Sequence, residues 1–178
     1  MTTQNIIIQA RLAAVFYLGT IVTGATALMF ANGRNISNFI ATICYIGVTA
    51  LFYYLFKLVN KNLSFVAALF SLAGCIISAF SPYLAIPAFL PDILVFFGMY
   101  CLLIGWLIIK STFLPRYLGV LMMIGGLGWL TFLFPALSSL ISPFNFAPGI
   151  LGESVLTLWL LIKGVNAEEW NKRALETA

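Results

Sequence analysis

Apolar residues run along this chain in six long stretches instead of alternating with polar ones. They cover about Leu12 to Phe30, Ile36 to Phe56, Leu63 to Phe80, Ile93 to Ile109, Tyr117 to Phe134 and Ala147 to Ile162. Each is close to the ~17–25 residues that carry a helix across a bilayer. Hydrocarbon offers no partner to an open backbone group, so a spanning segment is either a helix or a strand of a closed barrel. These runs are too long and too continuously apolar for barrel strands. The pattern therefore predicts an all-α, polytopic membrane protein: a six-transmembrane-helix bundle forming a single domain over residues 1–178.

Composition makes the lipid bilayer the necessary surface partner. Of the 178 residues 62% are hydrophobic and 8% charged, against ~25% charged in a soluble domain, and the mean hydropathy is +1.07. The net charge of +4 does not point to nucleic acid, because the cations form no basic patch with interleaved aromatics. They fall in the breaks between apolar runs. Arg11 precedes the first run, Lys57 and Lys61 separate the second from the third, and Lys110 and Arg116 separate the fourth from the fifth. Lys163, Lys172 and Arg173 follow the sixth, and Arg34 alone falls on the other side. Cations in short loops stay cytoplasmic, which predicts both termini inside. Arg11, the apolar stretch after it and Ala25-Thr26-Ala27 also fit a cleavable signal peptide. The run continues apolar through Leu28-Met29-Phe30, long for a signal core, and reads as a retained helix.

Side chains able to do chemistry are sparse. The chain has no histidine, and Cys44, Cys75 and Cys101 lie inside apolar runs with no Cys-x-x-Cys pair. No metal or haem ligand set is expected from them, and no cofactor. The cysteines read as small hydrophobes. Small residues recur at four-residue spacing in the first run (Gly19, Thr23, Ala27) and the third (Ala67, Ser71, Cys75, Ala79), and the fifth carries Gly119, Gly125, Gly126 and Gly128. Such stripes let membrane helices approach closely and read as bundle packing. Gly47 and Gly74, like Gly98 and Gly125, stand 27 residues apart around a lysine, a faint hint of the internal repeats found in transporters.

The segments on the other side differ in kind. Ser81 to Pro91 (SPYLAIPAFLP) and Leu137 to Pro148 (LSSLISPFNFAP) are apolar, aromatic and broken by proline, which ends helices. They are expected as interfacial hairpins, with folding back over the bundle as the alternative. Near them lie the two acids eligible as functional candidates, since ionisable residues at membrane depth are costly. Asp92 follows Pro91 and suits a helix amino terminus. Glu153 lies beyond Pro148 by five residues, ~7 Å along a helix. Two placements of it compete. Gly149 and Gly152 start the helix late and leave Glu153 in a first turn facing headgroups, or Glu153 faces the bundle interior and pairs with a polar group of another helix, with Arg34 a possible counter-ion. In the second case Thr157, one turn below, and Ser71 and Tyr100, in the middle of their runs, line a polar pocket with Glu153 and Asp92. No nucleophile, base and orienting group can be assembled from these residues, which argues against hydrolytic chemistry.

The stretch Phe96-Phe97-Gly98, then Gly105-Trp106-Leu107-Ile108, Lys110-Ser111 and Leu114-Pro115-Arg116 with Leu118-Gly119-Val120-Leu121, resembles the bacterial membrane family called domain of unknown function 4386. Gly152-Glu153-Ser154 followed by Leu158-Trp159-Leu160-Leu161-Ile162-Lys163-Gly164-Val165 is its most specific part. Arg11-Leu12, Tyr17-Leu18 and Val59-Asn60-Lys61-Asn62-Leu63 extend the resemblance over nearly the whole chain. It implies a small bacterial inner-membrane protein without an assigned activity, and marks Glu153 as part of a family element. The chain departs from the family pattern where Ser71, Gly74 and Tyr100 replace arginine, glutamate and histidine, which speaks against a shared catalytic role.

These features favour a non-enzymatic membrane protein that binds a lipid-like or small amphipathic ligand, or a partner helix, within the bundle. A small proton-coupled transporter using Glu153, working as a homo-oligomer, ranks second, and an intramembrane enzyme third. Topology is directly testable. In a background lacking Cys44, Cys75 and Cys101, a membrane-impermeant maleimide applied outside cells should label Arg34→Cys and leave Lys61→Cys untouched; the reverse pattern would overturn the assignment.

Overall fold

The computed structural model describes residues 3–29, 34–81, 83 and 91–176. Eight α-helices follow one another among the described residues: α1 (Thr3–Met29), α2 (Arg34–Phe56), α3 (Lys61–Phe80), α4 (Ile93–Lys110), α5 (Arg116–Leu130), α6 (Pro135–Ile141), α7 (Phe146–Ile162) and α8 (Ala167–Glu176). A 3-10 turn, Thr131–Leu133, extends α5, and no strand occurs among these residues. Five helices, α1 to α5, are long and apolar enough to cross a membrane. The pair α6 and α7, bent by 80°, supplies a sixth if it counts as one span. The all-helical membrane bundle expected from the sequence is the architecture found.

Each long helix packs on its neighbour in sequence, and α7 returns to α1, so the six close into a ring. The outward faces are apolar, with Phe39, Ile46, Phe65, Ile76, Leu127 and Leu158 all exposed. Lipid tails are as apolar as these side chains, so helix association rests on close packing. The α4–α5 seam shows how close. A methyl group added at Gly105 would come within 2.6 Å of the Gly119 carbonyl oxygen, and one at Gly98 within 3.0 Å of that of Gly126. The opposite edge of α5 presents Gly125 and Gly128 to Pro148 and Asn145 at the start of α7. Gly47 instead seats the Phe16 ring and Gly74 the Phe97 ring, so the glycines of the suspected repeat share no common role.

Several boundaries differ from the hydropathy reading. Helix α1 starts well before Leu12, and Arg11 lies exposed within it. Its first turns need not be apolar all round: Ile6, Ala10, Ala13 and Tyr17 are buried at helical spacing, while Gln4, Asn5 and Arg11 stay exposed, the amphipathic pattern of a helix leaving the bilayer. The second proline-rich segment is more than a hairpin. Pro135 opens α6 from the first turn, where its missing N–H costs nothing. Of the first proline-rich segment, 82 and 84–90 lie outside the described residues.

The carboxyl-terminal helix α8 has no counterpart in the apolar runs. The Asn166 side chain accepts the backbone N–H groups of Glu168 and Glu169 at 3.2 Å each, and Arg173 stands in the last turn, so cap and charges both suit the helix dipole. Helix α8 lies across the ends of α2 and α4. The buried Trp170 donates its indole N–H to the Leu55 carbonyl at 3.2 Å. Arg173 donates to the Leu58 carbonyl at 3.3 Å and the Lys110 carbonyl at 3.0 Å. The Leu55 and Lys110 carbonyls belong to helix ends that lack an intrahelical donor, and Leu58 lies in the turn that follows α2. Arg173, counted above only as a topology charge, is thus a fastening between two spans. Trp170→Phe, which loses the Leu55 bond and part of the ring volume, should cost about 1–3 kcal/mol, and Trp170→Ala about 3 kcal/mol or more, read as a fall in unfolding temperature in detergent. An unchanged temperature for Trp170→Ala would show that α8 does not hold this end of the ring.

Candidate functional site

Helix α7 begins at Phe146, so Glu153 lies ~10 Å along its axis and not in a first turn. The two glycines do not delay the helix; they are contact points within it. The Trp129 indole lies directly over Gly149, where any Cβ would collide with the ring. At Gly152 a Cβ would stand 2.6 Å from the Leu121 carbonyl oxygen. Helices α5 and α7 meet there almost backbone to backbone, which turns Glu153 into the ring and leaves it 9% exposed.

The carboxyl group is held from two other helices. Trp129 of α5 donates its indole N–H to Oε1 at 3.0 Å. The Cys101 thiol of α4 donates to the same oxygen at 3.4 Å, so Cys101 is a weak donor and not merely a small hydrophobe. The second oxygen, Oε2, has no partner among the described residues. Arg34 is not the counter-ion: its Nε donates to the Ala27 carbonyl at 3.2 Å, at the far end of α1.

Three tyrosines complete the layer. Tyr17 of α1, Tyr45 of α2 and Tyr100 of α4 are 0%, 5% and 1% exposed. Ring centroids lie 5.8 Å apart for Tyr17 and Tyr45 and 5.7 Å for Tyr45 and Tyr100. None of the three buried hydroxyls makes a well-formed hydrogen bond: Tyr17 and Tyr45 approach each other and the Cys101 thiol, Tyr100 approaches Thr49, and all three phenols are within electrostatic reach of Glu153 and Cys101. Thr49 comes near Tyr100 and shares a short hydrogen bond with Ser71.

The five candidate pocket residues therefore separate. Glu153 and Tyr100 stand in one cluster. Ser71 borders it through Thr49. Thr157 is buried, but its hydroxyl bonds the Glu153 backbone carbonyl at 2.7 Å, a helix-internal contact that consumes the donor. Asp92 lies elsewhere: exposed, it caps α4 by accepting the Leu94 N–H at 2.9 Å. From this layer toward the α2–α3 and α4–α5 turns the ring is filled with buried apolar side chains, among them Phe52, Phe56, Ile104, Leu107, Met122 and Leu156. The basic residues Lys57 and Lys110 lie at that end, above the rings of Tyr54 and Trp106 at 4.7 and 5.0 Å, while Arg11, Lys61, Arg116 and Lys163 are exposed.

Sequence reasoning missed Tyr17, Tyr45, Trp129 and the role of Cys101. A signal existed for the tyrosines. Tyr53, Tyr54 and Tyr117 sit near helix ends, where amphipathic rings favour the membrane interface. Tyr17, Tyr45 and Tyr100 fall mid-helix, where a phenol has no water to bond and needs another reason to be present. Trp129 had no such signal, because its reach to Glu153 depends on the α5–α7 contact.

Residues 93–164 match the profile of a family described as Domain of unknown function (DUF4386). The match covers α4 to α7, with Tyr100, Cys101, Trp129 and Glu153 inside it and Tyr17 and Tyr45 outside. The chain is also similar to an uncharacterized protein of Archaeoglobus fulgidus, 29% identical over 139 residues that span 74% of this chain and 83% of the relative. No solved structure matches.

The seat of Trp129 is testable. Gly149→Ala should push the indole off Glu153, at a cost of about 1–3 kcal/mol for overpacking. In a Trp129→Ala background the same substitution should cost little, since its collision partner is gone. Equal losses in both backgrounds would show that Gly149 does not serve the indole.

Proposed function

We propose that this protein is a non-enzymatic membrane protein that takes a small amphipathic ligand into its helix ring, with the ligand's polar end at the level of Glu153. The observation that carries this reading is the set of three buried tyrosine hydroxyls that make no well-formed hydrogen bond, beside a carboxyl group with one unengaged oxygen. A buried polar group left unpaired costs about 1–3 kcal/mol. A chain that keeps three in one place, on three different helices, gains from a partner that supplies polar atoms there. The oxygen of Glu153 and the three phenols offer both accepting and donating sites.

Passage through the ring fits less well. A transporter would need polar groups continuing from Glu153 toward Lys110 and Arg116, and that stretch holds Phe52, Phe56, Ile104 and Leu107. An acid at mid-depth is what proton coupling would use, so transport through Glu153 stays as the second reading, with the apolar plug against it. In this reading the plugged end and both termini face the cytoplasm, in a cytoplasmic membrane; the basic residues gathered at that end support it through the positive-inside rule. The ligand would then enter from the other leaflet. Neither a homo-oligomer nor a partner helix is needed by this reading.

The test separates ligand from scaffold. The triple variant Tyr17→Phe, Tyr45→Phe, Tyr100→Phe removes the unpaired hydroxyls and keeps the rings. Freed of ligand, it should be at least as stable as the wild type, because none of the hydroxyls removed makes a well-formed hydrogen bond, and a fully unsatisfied buried polar group costs about 1–3 kcal/mol. Native mass spectrometry should find a co-purifying amphiphile on the wild type and not on the variant. A variant that retains the amphiphile, or a wild type that carries none under any membrane extraction, would overturn the proposal.

A further inference from the structure

We infer that the polar end of the ligand is an organic cation, an ammonium group on an apolar body; the inference rests on the ligand-binding reading above. The chemistry of the layer selects for charge. The one acid inside the ring, Glu153, has a hydrogen-bond donor on each of two neighbouring helices but no cation among the described residues. An indole N–H and a thiol supply hydrogen bonds and no counter-charge. A carboxylate held away from water is stabilised there by a paired and hydrogen-bonded positive charge. Its second oxygen is free to receive one.

The surrounding surface is aromatic. Tyr17 and Tyr45 meet at 80°, and Tyr45 and Tyr100 at 61°, so the rings stand like walls at corners and not as a stack. Phe97 leans on Tyr45 with centroids 4.5 Å apart, and the Trp129 indole borders the acid. Ring faces attract cations, and clusters of them recognise ammonium groups. The phenol oxygens accept hydrogen bonds from an ammonium as well. An anionic head group would meet the Glu153 carboxylate with like charge. A neutral alcohol would serve the phenols but leave the acid without a counter-charge. A cation satisfies the acid, the rings and the phenol oxygens together. The ring's apolar walls on the side away from the basic end suit the body that carries it.

Three probes with the same tail separate these cases: dodecylamine, dodecanol and dodecanoate, each added to the detergent-purified full chain and read by the shift in unfolding temperature and by equilibrium binding. Dodecylamine should stabilise the wild type, and the other two should not. Its affinity should fall roughly tenfold or more in Glu153→Gln, as expected for loss of a charge-assisted contact, while Glu153→Asp keeps the preference for the amine. If Glu153→Gln does not fold, Tyr45→Phe and Tyr100→Phe give the second readout, a weaker loss with the amine preference intact. Dodecanol binding as tightly as dodecylamine would overturn the cation inference and leave the ligand-binding reading standing. Dodecylamine binding that neither Glu153→Gln nor the tyrosine variants weaken would overturn it too, by placing the amine elsewhere. No binding of any probe, with no co-purifying amphiphile, would overturn both.

Discussion

The structure turns on one contact, the Trp129 indole resting on the bare backbone of Gly149 and donating to Glu153. A carboxyl group inside a hydrocarbon-facing bundle must find its partners in protein, because no bulk water reaches it. Here the partner is a large ring on a neighbouring helix, and it reaches the acid only because α7 lacks a side chain beneath it. Take away that space and the indole has no seat; take away the indole and the acid keeps only a thiol. The close approach of α5 and α7 at Gly149 and Gly152 is what lets the indole reach that acid.

Around this contact the ring is divided in two. Toward the basic end large apolar side chains fill the interior, and α8 closes over them with Trp170 and Arg173 bonded to carbonyls at the ends of α2 and α4. Packing between helices in lipid gains little from the hydrophobic effect, so hydrogen bonds to otherwise unpaired helix-end carbonyls carry unusual weight there. At mid-depth the interior changes character within about one to two helical turns, from Phe52 and Ile104 to Tyr45, Tyr100 and Glu153. A polar layer resting on an apolar plug leaves no continuous polar path among the described residues from Glu153 to the basic end.

Glycine sets the scale of the whole assembly. At the α4–α5 seam Gly105 meets the backbone at Gly119, and Gly98 that at Gly126. At the α5–α7 seam Gly152 meets the Leu121 carbonyl, and Gly149 meets an indole. The same residue type thus does two jobs, letting backbones touch and making room for a functional side chain. Which glycine does which is a property of facing surfaces and not of spacing along one helix.

The six apolar runs made the helical membrane architecture readable in advance, because a bilayer constrains length and hydropathy in the strand of sequence itself. The acid at Glu153 was readable as a candidate for the same reason: a charge in an apolar run stands out. Other features were not. The amphipathic starts of α1 and α8 carry no long apolar signal, so Ile6 and Trp170 had to be placed by what they pack against. Thr157 looked like a pocket residue by depth, yet it bonds its own backbone, while Asp92 caps α4 in the open as its place after Pro91 suggested. Local sequence determined which segments are helices and how deep each residue sits along them. The tertiary structure decided which side of each helix faces inward, because that depends on the mutual fit of ring, glycine and carbonyl between segments far apart in the chain, and so it alone brought Trp129, Cys101 and three tyrosines to one acid.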